Sequence, residues 1–315
     1  MKRLLVGYRA ADLTPELLAG DVTCHALDIH HAHAIERTCP GAKVVCAAHL
    51  PRESWDEIRF RTGPKIRSGE LSLSLLQEIH LLRPRAFALD FVGRERDRND
   101  LLDKIRKDPD RVRDFAATWP ASVPGGKALT FTSFPGCFCH RRRDEGGLAL
   151  AEVVSRELSN TETQRHGEGE FRMLDMGCGC GLVGLLVASR LSASTSSLPL
   201  HLTLIDSHSR AIEAAELNAR TFGIPVETIL ADDGIAGRPD LRGTFAAFMG
   251  NPPYYSDYRI ADVFLETAKA ALRPGGVCYM VCKNAAGLEP VQRRHFPSVQ
   301  IIPRRGYAVL KSIMV

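Results

Sequence analysis

The sequence predicts an α/β protein with two tandem units, each built on a mostly parallel sheet. Two observations predict this fold class. From about Phe171 to the end of the 315-residue chain, apolar strand-like runs alternate with helix-like segments, a pattern typical of a parallel sheet covered by helices on both faces. The first half of the chain follows the same plan in weaker form.

The second half supplies seven predicted strands. Five read as parallel strands: Phe171–Met176, Leu200–Asp206, Val226–Ala231, Thr244–Met249 and Val277–Val281. Helical periodicity separates several of them, at Leu182–Leu191, Arg210–Phe222 and Ile260–Ala271. Val299–Ile302 and Tyr307–Met314 flank a turn and predict an antiparallel hairpin. We therefore expect a seven-stranded, mostly parallel sheet that ends in this hairpin.

Short matches between the halves predict an internal duplication. Asp28-Ile-His30 matches Asp206-Ser-His208, and an Ala-Ile-Glu follows each. The first copy has Gly7-Tyr-Arg-Ala where a glycine-rich loop would stand. We therefore expect it to keep the fold without the cofactor-binding and catalytic residues. Because a turn-rich stretch ends at Gly126, the predicted domains are 1–126, degenerate, and 127–315, catalytic.

Composition excludes several classes of protein. Apolar content of 44% and charged content of 25% fit an ordinary globular chain, and the net charge of +4 permits a nucleic-acid partner. Apolar runs are too short for a transmembrane helix, and the start lacks the features of a signal peptide, so we expect a cytoplasmic protein with no membrane partner. Cys137-Phe-Cys139-His140 has no second cysteine pair at zinc-ribbon spacing, so no metal is expected.

A glycine-rich loop follows the first strand of the second half. Leu174-Asp175-Met-Gly177-Cys-Gly179-Cys-Gly181 would let the backbone turn tightly at a helix N-terminus and approach a ligand closely. Asp206 ends the next strand, where a carboxylate can accept both hydroxyls of a ribose. The spacing up to Gly184 also satisfies the dinucleotide-binding pattern, so the loop alone leaves the cofactor open.

The loop after the fourth strand argues against a dinucleotide cofactor. It reads Asn251-Pro252-Pro253-Tyr254, which has no place in a dehydrogenase. An exocyclic amine is a poor nucleophile because its lone pair is delocalised, and it needs acceptors that hold its hydrogens. The Asn251 side chain and the Pro252 carbonyl are such acceptors, Pro253 helps to stiffen the loop, and Tyr254 offers a face for stacking the target ring.

These motifs resemble the class I S-adenosylmethionine-dependent methyltransferases, and most closely the guanine-N2 enzymes known as ribosomal RNA small subunit methyltransferase C and large subunit methyltransferase G. The resemblance is specific over about 130–315, including Pro135-Gly-Cys-Phe138 before Asp144-Glu-Gly146. It implies two Rossmann-like methyltransferase domains with S-adenosylmethionine bound by the second. The implied cofactor residues are Asp175, Gly177, Gly179, Gly181, Asp206, Asp232, Asp233 and Asn251. Asp232 or Asp233, with Asp233 preferred, would read the adenine amino group.

The sequence leaves the substrate open. The guanine-N2 family usually has Phe and His after the two prolines, where this chain has Tyr254-Tyr255. Adenine-N6 and protein-glutamine-N5 methyltransferases also use Asn-Pro-Pro-Tyr, and a non-catalytic RNA-binding protein is a further alternative. We expect a monomer that acts on ribosomal RNA or a ribosomal subunit. Clusters of arginine and lysine are candidate phosphate contacts, or else a solvated surface: 59–67, 94–98, 141–143, 293–294 and 304–305.

Overall fold

The computed structural model describes residues 1–106, 112–160, 170–193, 199–253 and 258–315, apart from the side chains of Ile105 and Asn160. Contacts divide the chain into two compact units. Unit 1 comprises Met1–Ala117 with the short segments Phe134–His140 and Ser207–Arg210. Unit 2 comprises Thr118–Ser133, Arg141–Asp206 and Ala211–Val315. The domain boundary at residue 126 stays a prediction.

Unit 1 is built on a five-stranded sheet whose described pairings are all parallel. Its strands are β1 (Lys2–Val6), β2 (Asp21–Ala26), β3 (Lys43–Cys46), β4 (Glu57–Thr62) and β5 (Ala86–Phe91). Their order is β3-β2-β1-β4-β5. The chain therefore adds β2 and β3 on one side of β1, and then β4 and β5 on its other side. The topological switch point of the sheet consequently lies between β1 and β4.

Within the described part of unit 1, four α-helices accompany this sheet: α1 (Pro15–Leu18), α2 (Ile29–Thr38), α3 (Gly69–Leu82) and α4 (Glu95–Arg106). The first three begin at side chains that satisfy backbone N–H groups of the first turn. Thr14 accepts from Leu17, Asp28 accepts from His30, and Ser68 accepts from Leu71. The apolar face of α3 packs into a core that includes Leu4, Val6, Ile58, Phe60, Leu75 and Ile79.

Unit 2 is built on a seven-stranded sheet. Its strands are β8 (Phe171–Met176), β9 (Leu200–Asp206), β10 (Val226–Leu230), β11 (Phe245–Gly250), β12 (Leu272–Cys282), β13 (Gln300–Arg304) and β14 (Tyr307–Ile313). The order is β10-β9-β8-β11-β12-β14-β13, parallel except for the pairings of β14. The predicted fold class, with its terminal antiparallel hairpin, is confirmed.

Among the residues that the structure describes, five α-helices accompany the larger sheet: α5 (Glu145–Asn160), α6 (Leu182–Ser192), α7 (Ser209–Phe222), α8 (Arg259–Ala271) and α9 (Ala285–His295). Every residue of β11 is buried, as expected of a central parallel strand covered on both faces. Two elements were not predicted. Helix α9 contains Pro290, and a small sheet of β6 (Ala117–Ala121) and β7 (Leu129–Ser133) occupies the predicted turn-rich linker.

The first five strands of the two sheets follow the same order. β3-β2-β1-β4-β5 in unit 1 corresponds strand by strand to β10-β9-β8-β11-β12 in unit 2. The loop that begins at Gly7 therefore corresponds to the glycine loop after β8, and the loop after β4 corresponds to the one that carries Asn251. Among the described residues, no helix is long and apolar enough to cross a membrane.

Candidate active site

The glycine loop joins β8 to α6 through three residues in the left-handed backbone region. Gly177, Gly179 and Gly181 have φ of 68°, 56° and 82°. A Cβ on Gly177 would lie 2.8 Å from Phe264, and one on Gly181 would lie 2.8 Å from Leu185. A Cβ on Gly179 would meet no atom within 4 Å. Side chains thus pack tightly against the loop at Gly177 and Gly181. The space at Gly179 is open, and a ligand can approach the backbone there.

Asp175 is buried beneath this loop, with 2% of its surface exposed. Its Oδ2 accepts a 2.8 Å hydrogen bond from the N–H of Gly184, in the first turn of α6. Burial, together with the nearby charges of Asp206 and Asp144, raises the pKa of this carboxyl to about 7. In this structure Asp175 holds the loop against the helix.

Asp206 ends β9 at the same edge and is half-buried. Its Oδ2 accepts a 2.9 Å hydrogen bond from the N–H of Gly179. The carboxylate therefore lies beside the open part of the glycine loop. A carboxylate has four lone-pair sites, so the one used by Gly179 leaves capacity to accept hydroxyl groups from a ligand.

The two acidic residues after β10 differ in exposure. Asp232 is half-buried and Asp233 is exposed, both in the bend that follows the strand. The backbone N–H of Ala231 donates to the carbonyl of Asp206, at 3.1 Å, and so ties the start of this bend to the end of β9. The bend thus starts beside Asp206. The preference for Asp233 over Asp232 as the residue that contacts the adenine amino group stays a prediction.

Asn251 follows β11 and is held by a residue from a distant part of the sequence. Its Nδ2 donates a 2.8 Å hydrogen bond to Oδ2 of Asp144. A carboxylate accepts and does not donate, so this bond fixes which end of the Asn251 amide carries nitrogen. The Oδ1 acceptor is consequently at the other end of the amide. Pro252 is buried and Pro253 half-buried, whereas Tyr254 lies outside the described residues.

Asp144 is the candidate site residue that sequence reasoning missed. In the sequence it stands out only as part of the entry segment and as an acidic neighbour of Arg141–Arg143. In the structure its Oδ1 accepts a 3.0 Å hydrogen bond from the N–H of Gly147 in the first turn of α5. Burial raises the pKa of the Asp144 carboxyl, while hydrogen bonds from Gly147 and Asn251 lower it, and the net shift is upward. An aspartate followed by two glycines at a helix start was the available signal.

Asp144, Asp175 and Asp206 together make this edge of the unit 2 sheet acidic. The negative charges of Asp206 and Asp144 both act on Asp175. Such an edge favours a positively charged ligand, because desolvated carboxylates are stabilised by a nearby cation. An open glycine loop beside ribose-type acceptors and an acidic edge together fit a cationic nucleoside cofactor such as S-adenosylmethionine.

Ion pairs divide the basic clusters into two kinds. Several arginines have carboxylate partners: Arg59 with Asp90, Arg61 with Asp12, Arg94 with Asp97, Arg98 with Glu95, Arg293 with Glu289, Arg294 with Asp262, and Arg304 and Arg305 with Glu152. Lys65 and Arg142 are exposed and have no ion pair among the residues that the structure describes. Exposed Arg143 donates weakly to the carbonyl of Pro120.

The sequence favours a surface role over a metal site for His25, His30, His31 and His33, and this expectation is wrong for His25, which lies in β2. His25 is 2% exposed, and its Nε2 lies 2.8 Å from the carbonyl oxygen of Ala47. Burial lowers the pKa of His25 to about 4. Within the described ranges, no group of three or more histidine, cysteine, aspartate or glutamate residues is arranged to hold a metal ion.

Comparisons with known proteins agree with this site. Residues 128–311 match the family model described as Methyltransferase small domain. Ribosomal RNA small subunit methyltransferase C of Pseudomonas aeruginosa (strain UCBPP-PA14) is 32% identical over 171 residues, 53% of this chain and 45% of that protein. Ribosomal RNA large subunit methyltransferase G of Pseudomonas putida (strain W619) is 26% identical over 282 residues, 87% of this chain and 63% of that protein. The chain spans about half the length of the small subunit methyltransferases that it matches.

A solved structure has the same fold along the whole chain. The 16S rRNA N2 methyltransferase of T. thermophilus, in complex with AdoMet and guanosine, superposes with a TM-score of 0.76 at 17% identity, covering 100% of this chain and 88% of that one. The resemblance inferred from the sequence is confirmed. Because the family model covers more than half of the sequence, including the glycine loop and Asn251, the chain belongs to the methyltransferase small domain family.

Proposed function

We propose that this protein transfers a methyl group from S-adenosylmethionine to an exocyclic amino nitrogen. The observation that carries the proposal is the hydrogen bond from Asn251 to Asp144, at the same sheet edge as the glycine loop. With its nitrogen end held, the Asn251 amide presents Oδ1 as an acceptor for a substrate N–H. The Pro252 carbonyl is the second acceptor. Two such acceptors would aim the amine lone pair at the methyl group, and orientation of this kind lowers the barrier strongly.

Residues of the glycine loop, of the end of β9 and of the bend after β10 would hold the cofactor. Gly177, Gly179 and Gly181 bring backbone N–H groups close to it, and Asp206 accepts its ribose hydroxyls. Asp175 keeps the loop in place, and Asp232 or Asp233 reads the adenine amino group. When bound, the sulfonium supplies an activated methyl group with a good leaving group. Tyr254 keeps its predicted role of stacking the target ring.

For the substrate we propose the N2 amino group of a guanine in ribosomal RNA. The Pseudomonas relatives, both ribosomal RNA methyltransferases by name, support ribosomal RNA, and the structure solved with guanosine supports guanine. Exposed Arg142, two residues before Asp144, is suited to contact a phosphate beside the base. The base would enter unpaired or flipped out of a helix.

We also propose that residues 1–126 are a methyltransferase-like domain that has lost its catalytic parts, with residues 127–315 as the catalytic domain. The shared strand order of the two sheets supports a common origin. In place of three glycines, the loop after β1 has Gly7 alone before Tyr8 and Arg9. The loop after β4 reads Gly63-Pro64 where the catalytic domain has Asn251-Pro252.

The test is the identity of the methylated product. The full chain is incubated with methyl-labelled S-adenosylmethionine and unmodified ribosomal subunits or their RNA, and the RNA is digested to nucleosides. We expect label in N2-methylguanosine. Label in N6-methyladenosine would support the adenine alternative, and label only in protein would support glutamine-N5 transfer. Absence of transfer together with absence of cofactor binding would favour a non-catalytic RNA-binding protein.

A further inference from the structure

A cavity of about 180 Å³ lies at the carboxyl edge of the unit 1 sheet, at its topological switch point. The loop after β1, the end of β2, the start of α2 and the loop before α3 form its walls. Its polar lining includes Arg9, Asp28, His31, Arg67 and His208, all within unit 1. Ligands of open α/β sheets bind at this position. Nothing in the proposed methyl transfer uses this cavity.

Arg67 is the unusual member of this lining. One of its Nη atoms donates to the carbonyl of Gly7, at 3.1 Å, and its guanidinium lies over the ring of buried Phe60, at 5.3 Å. Its Nε is buried and has no hydrogen-bond partner, and no carboxylate lies within ion-pair distance among the described residues. A largely buried cation without a counter-ion is unfavourable and uncommon in proteins.

The surrounding charges make this site more positive still. Burial, together with repulsion from Arg9 and Arg210, lowers the pKa of Arg67 to about 10. Arg210 is neutralised by Glu78, at 2.7 Å, but exposed Arg9 forms no ion pair with a carboxylate among the residues described. A bound anion would relieve this repulsion, because opposite charge stabilises the protonated guanidinium.

Asp28 is the one carboxylate among the described residues that line the cavity, and each of its two oxygens accepts a hydrogen bond from a residue outside the lining. It accepts hydrogen bonds from the N–H of His30, at 2.9 Å, and from the hydroxyl of Ser207, at 3.0 Å. It therefore caps α2 and does not pair with Arg67. Burial lowers the pKa of His25, His31 and His208, and with these three histidines neutral the described lining carries two arginine charges against one aspartate. Burial lowers the pKa of His31, so at neutral pH its imidazole keeps one N–H that can donate to an anion.

The same arginine argues against a nucleoside cofactor at this edge. A Cβ on Gly7 would lie 2.2 Å from Nη2 of Arg67, so the guanidinium packs directly against the loop after β1 and fills the space beside it. What is left beside Arg67 suits a compact, strongly charged group. Arginine forms paired hydrogen bonds to tetrahedral oxyanions such as phosphate.

We propose that this cavity binds a phosphate group, held by Arg67 and Arg9 with His31 as a further donor. The phosphate can belong to an RNA backbone or to a free nucleotide, and both sources present the same oxygens. The inference does not depend on methyl transfer, because it concerns a different sheet edge and different residues.

Binding is measured on the full chain by calorimetry and thermal melting, with inorganic phosphate, guanosine 5′-monophosphate and a ribosomal RNA fragment as separate probes. The test variant is Arg67→Met, and the matched control is Lys65→Met, which removes an exposed charge two residues away that does not line the cavity. We expect Arg67→Met to weaken phosphate binding about tenfold or more, whereas Lys65→Met leaves it unchanged.

Thermal melting separates binding from a structural role. Since an uncompensated buried charge is removed, Arg67→Met without ligand should melt no lower than the natural chain, but phosphate should no longer raise its melting temperature. Weaker RNA binding in Arg67→Met identifies RNA as the source, and unchanged RNA binding with lost nucleotide binding identifies a free nucleotide. Equal phosphate binding by natural chain and variant, no phosphate binding by either, or a variant that melts lower while binding normally, would overturn the proposal.

Discussion

In the unit 2 loop, a Cβ on Gly177 would lie 2.8 Å from the apolar ring of Phe264, and one on Gly179 would meet no atom within 4 Å. In the unit 1 loop, a Cβ on Gly7, which corresponds to Gly177 as the first residue after its strand, would instead lie 2.2 Å from a guanidinium nitrogen of Arg67. The strands beneath these two loops follow the same order. Asp206 ends β9 and Asp28 lies two residues after the end of β2, and these two acidic residues also differ in use. Asp206 accepts from the glycine loop, while Asp28 caps a helix.

This difference teaches that the shared sheet supplies a position and the loop residues supply the chemistry. In unit 2, three carboxylates and an open glycine loop make an acidic edge suited to a cationic cofactor. In unit 1, an arginine without a carboxylate partner among the described residues packs against the corresponding loop and makes the edge suited to an anion. The following predictions test this contrast between the two sheet edges, from the largest expected effect to the smallest.

The largest effect is expected from Asn251→Ala. It removes the acceptor that aims the substrate nitrogen, so the rate of methyl transfer should fall by about 100-fold or more while S-adenosylmethionine binding survives. Single-turnover rates and calorimetry measure the two quantities. Asn284→Ala is the control, because Asn284 is exposed and its side chain makes no capping bond at α9. Retained activity in Asn251→Ala would contradict the role given to this residue.

A smaller loss is expected from Asp144→Asn, roughly 10- to 100-fold in kcat. Asparagine still caps α5 well, so the helix should remain stable, but it no longer dictates which way the Asn251 amide points. Glu145→Gln removes a neighbouring negative charge without touching Asn251 and should retain activity.

The pH profiles of the natural enzyme and of Asp144→Asn distinguish an orienting role of Asp144 from a purely structural one. Because burial raises the pKa of Asp144, the natural enzyme should lose activity on the acid side, as the carboxyl gains a proton and becomes a donor. Asp144→Asn should lack the part of this acid limb that comes from Asp144. An unchanged profile in the variant would show that Asp144 does not orient Asn251.

The open space at the glycine loop gives the next effect. Gly179→Leu should weaken S-adenosylmethionine binding about tenfold or more, because the side chain fills the ligand space. Gly223→Leu is the matched control: Gly223 also has positive φ, 67°, and nothing within 4 Å of a Cβ, so its strain of roughly 1–2 kcal/mol is similar. If both variants bind the cofactor equally well, the open space is not the cofactor site.

The smallest effect concerns stability. Folding raises the pKa of Asp175 from about 4 to about 7, so the native state holds a proton that the unfolded state releases over this range. The free energy of unfolding should therefore fall as pH rises from about 4 to about 7, by up to a few kcal/mol. Asp175→Asn keeps the acceptor for Gly184 and should flatten this dependence. Urea unfolding at several pH values measures it, and an equal slope in the variant would refute the assignment.

Much of the fold and part of the site could be predicted because their signals are local. The glycines at 177, 179 and 181 and the Asn251-Pro252 pair are each contiguous in sequence, and β8 and β9 were predicted with the bounds that they have. Helix α9 was missed because Pro290 interrupts its pattern. The β6–β7 sheet was missed because prolines and glycines surround it.

The contacts that give the two edges their character could not be predicted. Asp144 and Asn251 are 107 residues apart, and no local pattern says that their side chains meet. Arg67 lies 60 residues after Gly7, and the sequence does not show that its guanidinium closes the space beside that glycine. Long-range side-chain contacts of this kind follow from packing, which a single sequence does not reveal.

Calorimetric titration of the full chain with S-adenosylmethionine tests the contrast between the two edges most directly. We predict one site per chain, weakened about tenfold or more in Gly179→Leu and unaffected by Arg67→Met. Two sites per chain, or a site that survives in Gly179→Leu and disappears in Arg67→Met, would contradict the assignment of the cofactor to unit 2.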